Sequence, residues 1–163
     1  MTSQRRGVCR AFDLLEAALK FGAVVLALLM LLALSLQVFA RYLFDYALSW
    51  SEEISLLWFA WLIVFAGAVG IRRMTHARMS LLLDILPERL QRAMNRFIAL
   101  LLLILGLYLT YGGWGYFSET IDSVSPAIGF PIGWLYAAAP VFGVLISLFA
   151  IERVVTAGQG LDE

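Results

Sequence analysis

The chain has 163 residues, 62% hydrophobic and only 15% charged, and its mean hydropathy is +0.86. Its twelve basic and twelve acidic residues leave no net charge. Soluble domains carry about one-quarter charged residues, so the composition excludes an ordinary soluble domain and indicates an integral membrane protein.

In chain order, residues 1–20 carry Arg5, Arg6, Arg10 and Lys20 with Asp13 and Glu16, while Val8, Phe12, Leu15 and Leu19 recur at helical spacing. This pattern predicts an amphipathic lead-in helix at the bilayer surface. The first span is expected at 21–40, which lacks charge and at about 1.5 Å per residue crosses one hydrocarbon thickness. Basic residues, an apolar core and Val38-Phe39-Ala40 imitate a signal peptide. The run is long for that role and acids precede it, so a retained span is the better reading.

The stretch 39–53, FARYLFDYALSWSEE, is read as the turn between spans one and two. Its aromatic residues Phe39, Tyr42, Phe44, Tyr46 and Trp50 suit a membrane–water interface. Ser49 or Ser51 is the expected N-cap of the next helix, Ser49 and Glu52 have capping-box spacing, and Glu52 and Glu53 would face the positive end of that helix. Arg41 ends the first span. An antiparallel return therefore predicts a structural clasp between Arg41 and the pair Glu52/Glu53, with plain helix capping as the simpler alternative.

The second span is expected at 54–71. Ile54, Trp58, Trp61, Phe65 and Ala68 follow four-three-four-three spacing, and Ala66 and Gly70 add a small-residue step. Residues 72–96 form the long basic segment, whose first half predicts a short amphipathic surface helix. Pro87 then opens a helix leading into the third span, 97–116. The run GGWG at 112–115 is no phosphate loop, because no strand precedes it and no Gly-Lys-Ser/Thr follows. A turn is expected at Ser125-Pro126, and Pro131 is expected to open the fourth span, 132–151. Ala139, Gly143 and Ser147 form a small-residue stripe that invites another backbone, and Pro140 should kink the span. Residues 152–163 read as a short tail. The whole chain, 1–163, thus reads as a single four-span all-α membrane domain.

Eleven of the twelve Lys and Arg residues fall in the N-terminal segment, the 72–96 loop and the tail; Arg41 alone lies on the other side. Both termini are therefore expected in the cytoplasm, and the same arginines read as topology determinants and not as a nucleic-acid patch. All four span centres lack acidic and basic side chains, which argues against a pump or proton relay. Cys9 is the only cysteine and His76 the only histidine, so an internal disulfide, a multi-cysteine metal site and a bis-histidine haem are all excluded. No nucleophile–base pair is visible. Neither a cofactor nor catalysis is expected.

FARYLFDYALSWSEE, the Arg72-to-His76 spacing, Leu86-Pro87 and SPAIGFPIGWLYAAAP, in this order over residues 20–153, together resemble the small, DctQ-like membrane subunit of tripartite ATP-independent periplasmic (TRAP) transporters. The resemblance implies a bacterial inner-membrane protein that scaffolds a large transport subunit and works with a periplasmic substrate-binding protein in ion-coupled organic-acid uptake. Many relatives have an Asp about four residues after the loop histidine; Ser80 stands here, and any role of that acid is not carried over. Membrane lipids are the remaining partner class. The faces Trp58–Trp61–Phe65 and Ala139–Gly143–Ser147 are expected to contact the large subunit, unless they pack within the chain. A small homo-oligomeric transporter built around Glu52 and Glu53 is the alternative.

Overall fold

The computed structural model describes the backbone of residues 2–46, 48–77 and 88–157, with side chains at 12–46, 48–73, 90 and 93–152. The apolar runs all become helices: α1 Thr2–Phe44, α2 Ser49–Ala77, α3 Glu88–Thr120, the single turn α4 Gly133–Tyr136, and α5 Ala138–Ala157. Among the described residues, four segments are long and apolar enough to cross a membrane: Phe12–Phe44, Ser49–Arg73, Ala93–Thr120 and Gly133–Glu152.

Several boundaries differ from the sequence reading, each for a physical reason. No break separates the lead-in from the first span, because the charged residues near Glu16 find ionic partners on other helices and the helix need not end there. α2 runs past Ile71 to Ala77. The proposed surface helix that follows, and Pro87, lie largely outside the described residues. α5 continues through Ala157, six residues into the expected tail. Pro140 acts as expected of a proline in a span. Its ring denies Tyr136 the usual i+4 donor, and the helix is interrupted at Ala137, between α4 and α5. Ala137 keeps a bond to the Gly133 carbonyl (2.7 Å), so the interruption is a local offset. Pro131 does not open the helix; it pairs with Val124 across a small hairpin, and Ile132 is the N-cap.

α1 ends at Phe44 because Asp45 adopts φ 50, a left-handed conformation that a short polar side chain tolerates. Ser51 does not cap α2 from outside. It is fully buried inside the first turn, with its hydroxyl donating to the Leu48 carbonyl at 2.7 Å.

The helices are arranged as a row. α1 packs on α2, α2 on α5, and α5 most extensively on α3. Within the apolar windows, 39% of residues are buried in the last span but only 6% in the first, so α5 is the inner member and α1 an outer one. Glycines set the close approaches. A Cβ at Gly143 would stand 2.5 Å from the Gly106 carbonyl oxygen and from the Thr110 nitrogen. One at Gly113 would stand 2.7 Å from Pro140, and one at Gly22 would meet the Phe65 ring at 2.9 Å. The apolar core joins α1, α2 and α5 through Leu19, Val64, Ala68, Leu145 and Phe149.

Candidate functional site

Two polar clusters sit near opposite ends of α2, one beside Glu53 and one around Arg72. At the first, the loop 121–132 folds as a tight hairpin. Ser125 N–H donates to the Phe130 carbonyl (2.9 Å), Ile132 N–H to Ser123 (2.8 Å) and Gly129 N–H to Ser125 (3.0 Å). Gly129 supplies the φ of 74 that closes it, a conformation glycine adopts without steric cost. Glu53, in the first turn and a half of α2, reaches into this hairpin. Its carboxylate accepts from the Ser125 hydroxyl, from Ala127 N–H (2.9 Å) and from Ile128 N–H (3.2 Å). One side chain therefore satisfies the Ala127 N–H and gives the Ile128 N–H a closer acceptor than the Ser125 hydroxyl, its long partner within the turn at 3.5 Å. It also fixes the loop to α2.

This arrangement redraws the Arg41–Glu52/Glu53 clasp. Glu52 accepts from the Gln37 side chain at 2.7 Å, and Glu53 is held by the hairpin. Among the described residues Arg41 forms no ion pair with either. Gln37 lies one helical turn before Arg41. Glu52 thus meets α1 about 6 Å deeper than equal-depth pairing assumes, and it does not close the Ser49 capping box.

Replacing Glu53 with glutamine is expected to loosen the hairpin, because an amide presents only one acceptor oxygen to three donors. Amide hydrogen exchange of 125–132 should quicken, while Glu52→Gln leaves it unchanged. Equal exchange in the two variants would contradict the latch.

At the opposite end, Arg72 is the centre of the second cluster, with its side chain only 15% exposed. It donates to Asp13 (2.9 Å), to both Glu152 oxygens (3.2 and 3.0 Å), to the Phe12 carbonyl (3.0 Å) and to Glu16. Its guanidinium also lies 5.8 Å from the Phe149 ring centre, within cation–π range. Arg73 (3.1 Å) and Lys20 complete the pairing of Glu16. α1, α2 and α5 are thereby joined through one fork-shaped cation, a geometry that lysine cannot reproduce. In the sequence Arg72 reads as a topology determinant, and its place in this cluster is not evident. The available clue was opposite charge at matching ends of neighbouring spans: Asp13 and Glu16, Arg72, and Glu152.

The expected partner faces are partly consumed inside the chain. Gly143 is buried and Ser147 half-buried against α3, and a Cβ on Gly106 would strike the Ser147 hydroxyl. The stripe's neighbour is therefore α3, while Ala139 stays exposed. Trp61 donates to the Trp134 carbonyl at 3.1 Å and stacks edge-on with Phe65, whose ring covers Gly22. Trp58 is half-buried. With Phe21, Val25 and Leu26, the Trp61–Phe65 pair borders a shallow apolar groove. Among the described residues no group of three His, Cys, Asp or Glu side chains is placed to hold a metal.

The family description "Tripartite ATP-independent periplasmic transporters, DctQ component" matches residues 30–160, from the middle of α1 to beyond α5. The chain belongs to the DctQ family. A Haemophilus influenzae protein, provisionally named a TRAP transporter small permease protein, is 28% identical over 87% of this chain and 88% of its own length. The C4-dicarboxylate TRAP transporter small permease protein DctQ of Vibrio cholerae is 29% identical over 52% of this chain and 36% of its own. The sialic acid TRAP transporter permease protein SiaT of Haemophilus influenzae is 26% identical over 71% of this chain, but only 19% of SiaT is matched. The DctQ-like region is thus a minor part of a much longer permease. In DctQ terms, the two polar clusters and the glycine contacts are what this small subunit builds from its own residues.

Proposed function

We propose that the chain is the non-catalytic small membrane subunit of a TRAP-type secondary transporter. It scaffolds a large transport subunit during ion-coupled uptake of an organic acid that a periplasmic binding protein delivers. The observation that carries this reading is where the charge lies. The described acids and bases of α1, α2 and α5 lie outside the uncharged runs 21–40, 54–71 and 132–151, and Glu53, Glu16, Arg72 and Glu152 are engaged in holding helices and a loop together. A substrate or ion pathway usually needs such groups in mid-membrane.

SiaT supports a large partner, since its DctQ-like region is continuous with a far longer permease chain. The names of the relatives cover sialic acid and C4-dicarboxylates, both carboxylic acids, which supports the substrate class. The homo-oligomeric alternative is less well supported, because Glu53 is turned to the hairpin and Glu52 to Gln37. The orientation we propose has both termini and the 72–96 segment, with its surface helix, in the cytoplasm of the bacterial inner membrane. It rests on the positions of the Lys and Arg residues.

Co-expression with a large TRAP transport subunit from the same organism tests the proposal. The two chains should co-purify in mild detergent, and Cys9 should resist a membrane-impermeant thiol reagent in cells with a permeabilised outer membrane. Recovery of the small chain alone would overturn the scaffold reading; labelled Cys9 would invert the orientation.

A further inference from the structure

α3 carries two seams on opposite sides. One, Gly106–Thr110–Gly113, is filled by α5. The other is Leu101, Ile104, Tyr108, Tyr111 and Gly115, spaced three-four-three-four, the interval of a helix-pairing seam. This second seam is uncovered: Tyr108 is 73% and Tyr111 85% exposed, and a Cβ at Gly112 or Gly115 would meet nothing within 4 Å.

Depth makes the seam informative. Gly143 lies at the middle of the span Gly133–Glu152 and touches Gly106 and Thr110, which bracket Tyr108. Tyr108 is therefore near the bilayer midplane. A side chain reaching little more than one helical turn, about 5.4 Å, cannot bring its hydroxyl out of a hydrocarbon layer about 30 Å thick. No hydrogen bond joins that hydroxyl to the described residues. Lipid tails offer it none either, so the group needs a protein acceptor. α1, at the other side of the row, differs. Its exposed row Phe21, Val24, Leu28, Leu31 and Leu32 is wholly hydrocarbon and suits lipid. α3 instead combines a mid-span donor with an open glycine step, which lets another helix come close.

We propose that the outward seam of α3 is the surface on which a transmembrane helix of the large transport subunit packs. Tyr108 donates to a neutral acceptor on that helix at mid-bilayer, and Gly112 and Gly115 admit its backbone. The partner's identity rests on the scaffold reading above and on SiaT, where the DctQ-like region belongs to a longer permease. The face rests on this structure. Because the seam has no charge, the partner helix should present Ser, Thr, Asn, Gln or a free carbonyl opposite Tyr108.

The test uses the co-expressed complex in native membranes, with the photoreactive residue benzoylphenylalanine placed at Tyr108 or Tyr111, and at Leu28 or Leu32 for comparison. The α3 positions should cross-link to the large subunit and the α1 positions to lipid. Tyr108→Phe should lower recovery of the complex about threefold to tenfold, the range for an interhelical hydrogen bond in a bilayer, with unchanged amounts of inserted small chain. Cross-linking of α3 to a second copy of this chain, or to lipid alone, would overturn the proposal. So would full recovery with Tyr108→Phe. If wild-type chains co-purify yet only α1 cross-links, this face is wrong and the scaffold reading stands; if they never co-purify, both fall.

Discussion

Gly143→Leu is expected to destabilise the fold of the chain itself, before any partner is involved. At this position a single Cβ would already stand 2.5 Å from the Gly106 carbonyl oxygen and the Thr110 backbone nitrogen. Both are main-chain atoms, so no rotamer change removes the clash. Overpacking a core costs about 1–3 kcal/mol and occasionally more; separation of α3 from α5 places this case at the upper end. The neighbouring hydroxyls cannot yield freely. Thr110 and Ser147 each return a hydrogen bond to their own helix, at 2.7 and 2.8 Å. Thermal unfolding of the detergent-solubilised small chain should show a lower transition for Gly143→Leu, whereas Gly112→Leu, in open space, should unfold like the parent. Parent-like unfolding of both would mean that α3 and α5 do not meet at Gly143.

Arg72→Gln is expected to be the most damaging charge substitution at the other end. It would leave Asp13, Glu16 and Glu152 converging with their shared cation gone. Breaking a buried ion pair costs about 3–5 kcal/mol, and with 15% of the side chain exposed the loss should approach the lower figure. Arg73 is 65% exposed, so Arg73→Gln should fall within the about 0–1 kcal/mol of a surface pair. Arg72→Lys should recover only part of the loss, since one ammonium cannot present the guanidinium fork to three carboxylates and a carbonyl. The thermal transitions should rank parent and Arg73→Gln together, then Arg72→Lys, then Arg72→Gln. Equal transitions for Arg72→Gln and Arg73→Gln would remove Arg72 from the centre of the cluster.

The sequence was most legible where one physical rule acts locally. Uncharged runs of span length became helices, and SPAIGFP made a turn. The small-residue stripe on α5 correctly indicated a close helix, but periodicity says only that a backbone approaches, not whose. Gly106 and Gly113 on α3 were the missing half of that contact. Glu53 was legible as a helix-start acid. Its capture of Ala127 and Ile128 was not, because it depends on a hairpin brought alongside from far along the chain. The Arg41 clasp failed through a one-turn error in depth, beyond the resolution of span boundaries drawn from hydropathy. α1 misled for a related reason. Asp13, Glu16 and Lys20 look like the end of an apolar helix when read alone; Lys20 pairs with Glu16 within α1, but the neutralisation of the two acids by Arg72 and Arg73 appears only after the helices are assembled.

Solute uptake by reconstituted proteoliposomes tests the scaffold account most directly. Vesicles holding the small chain alone, or the large subunit alone, should take up no organic acid above background when the periplasmic binding protein and an ion gradient are supplied. Vesicles holding both subunits should accumulate it. Uptake by the small chain alone would contradict the account and establish a transport pathway within these four helices.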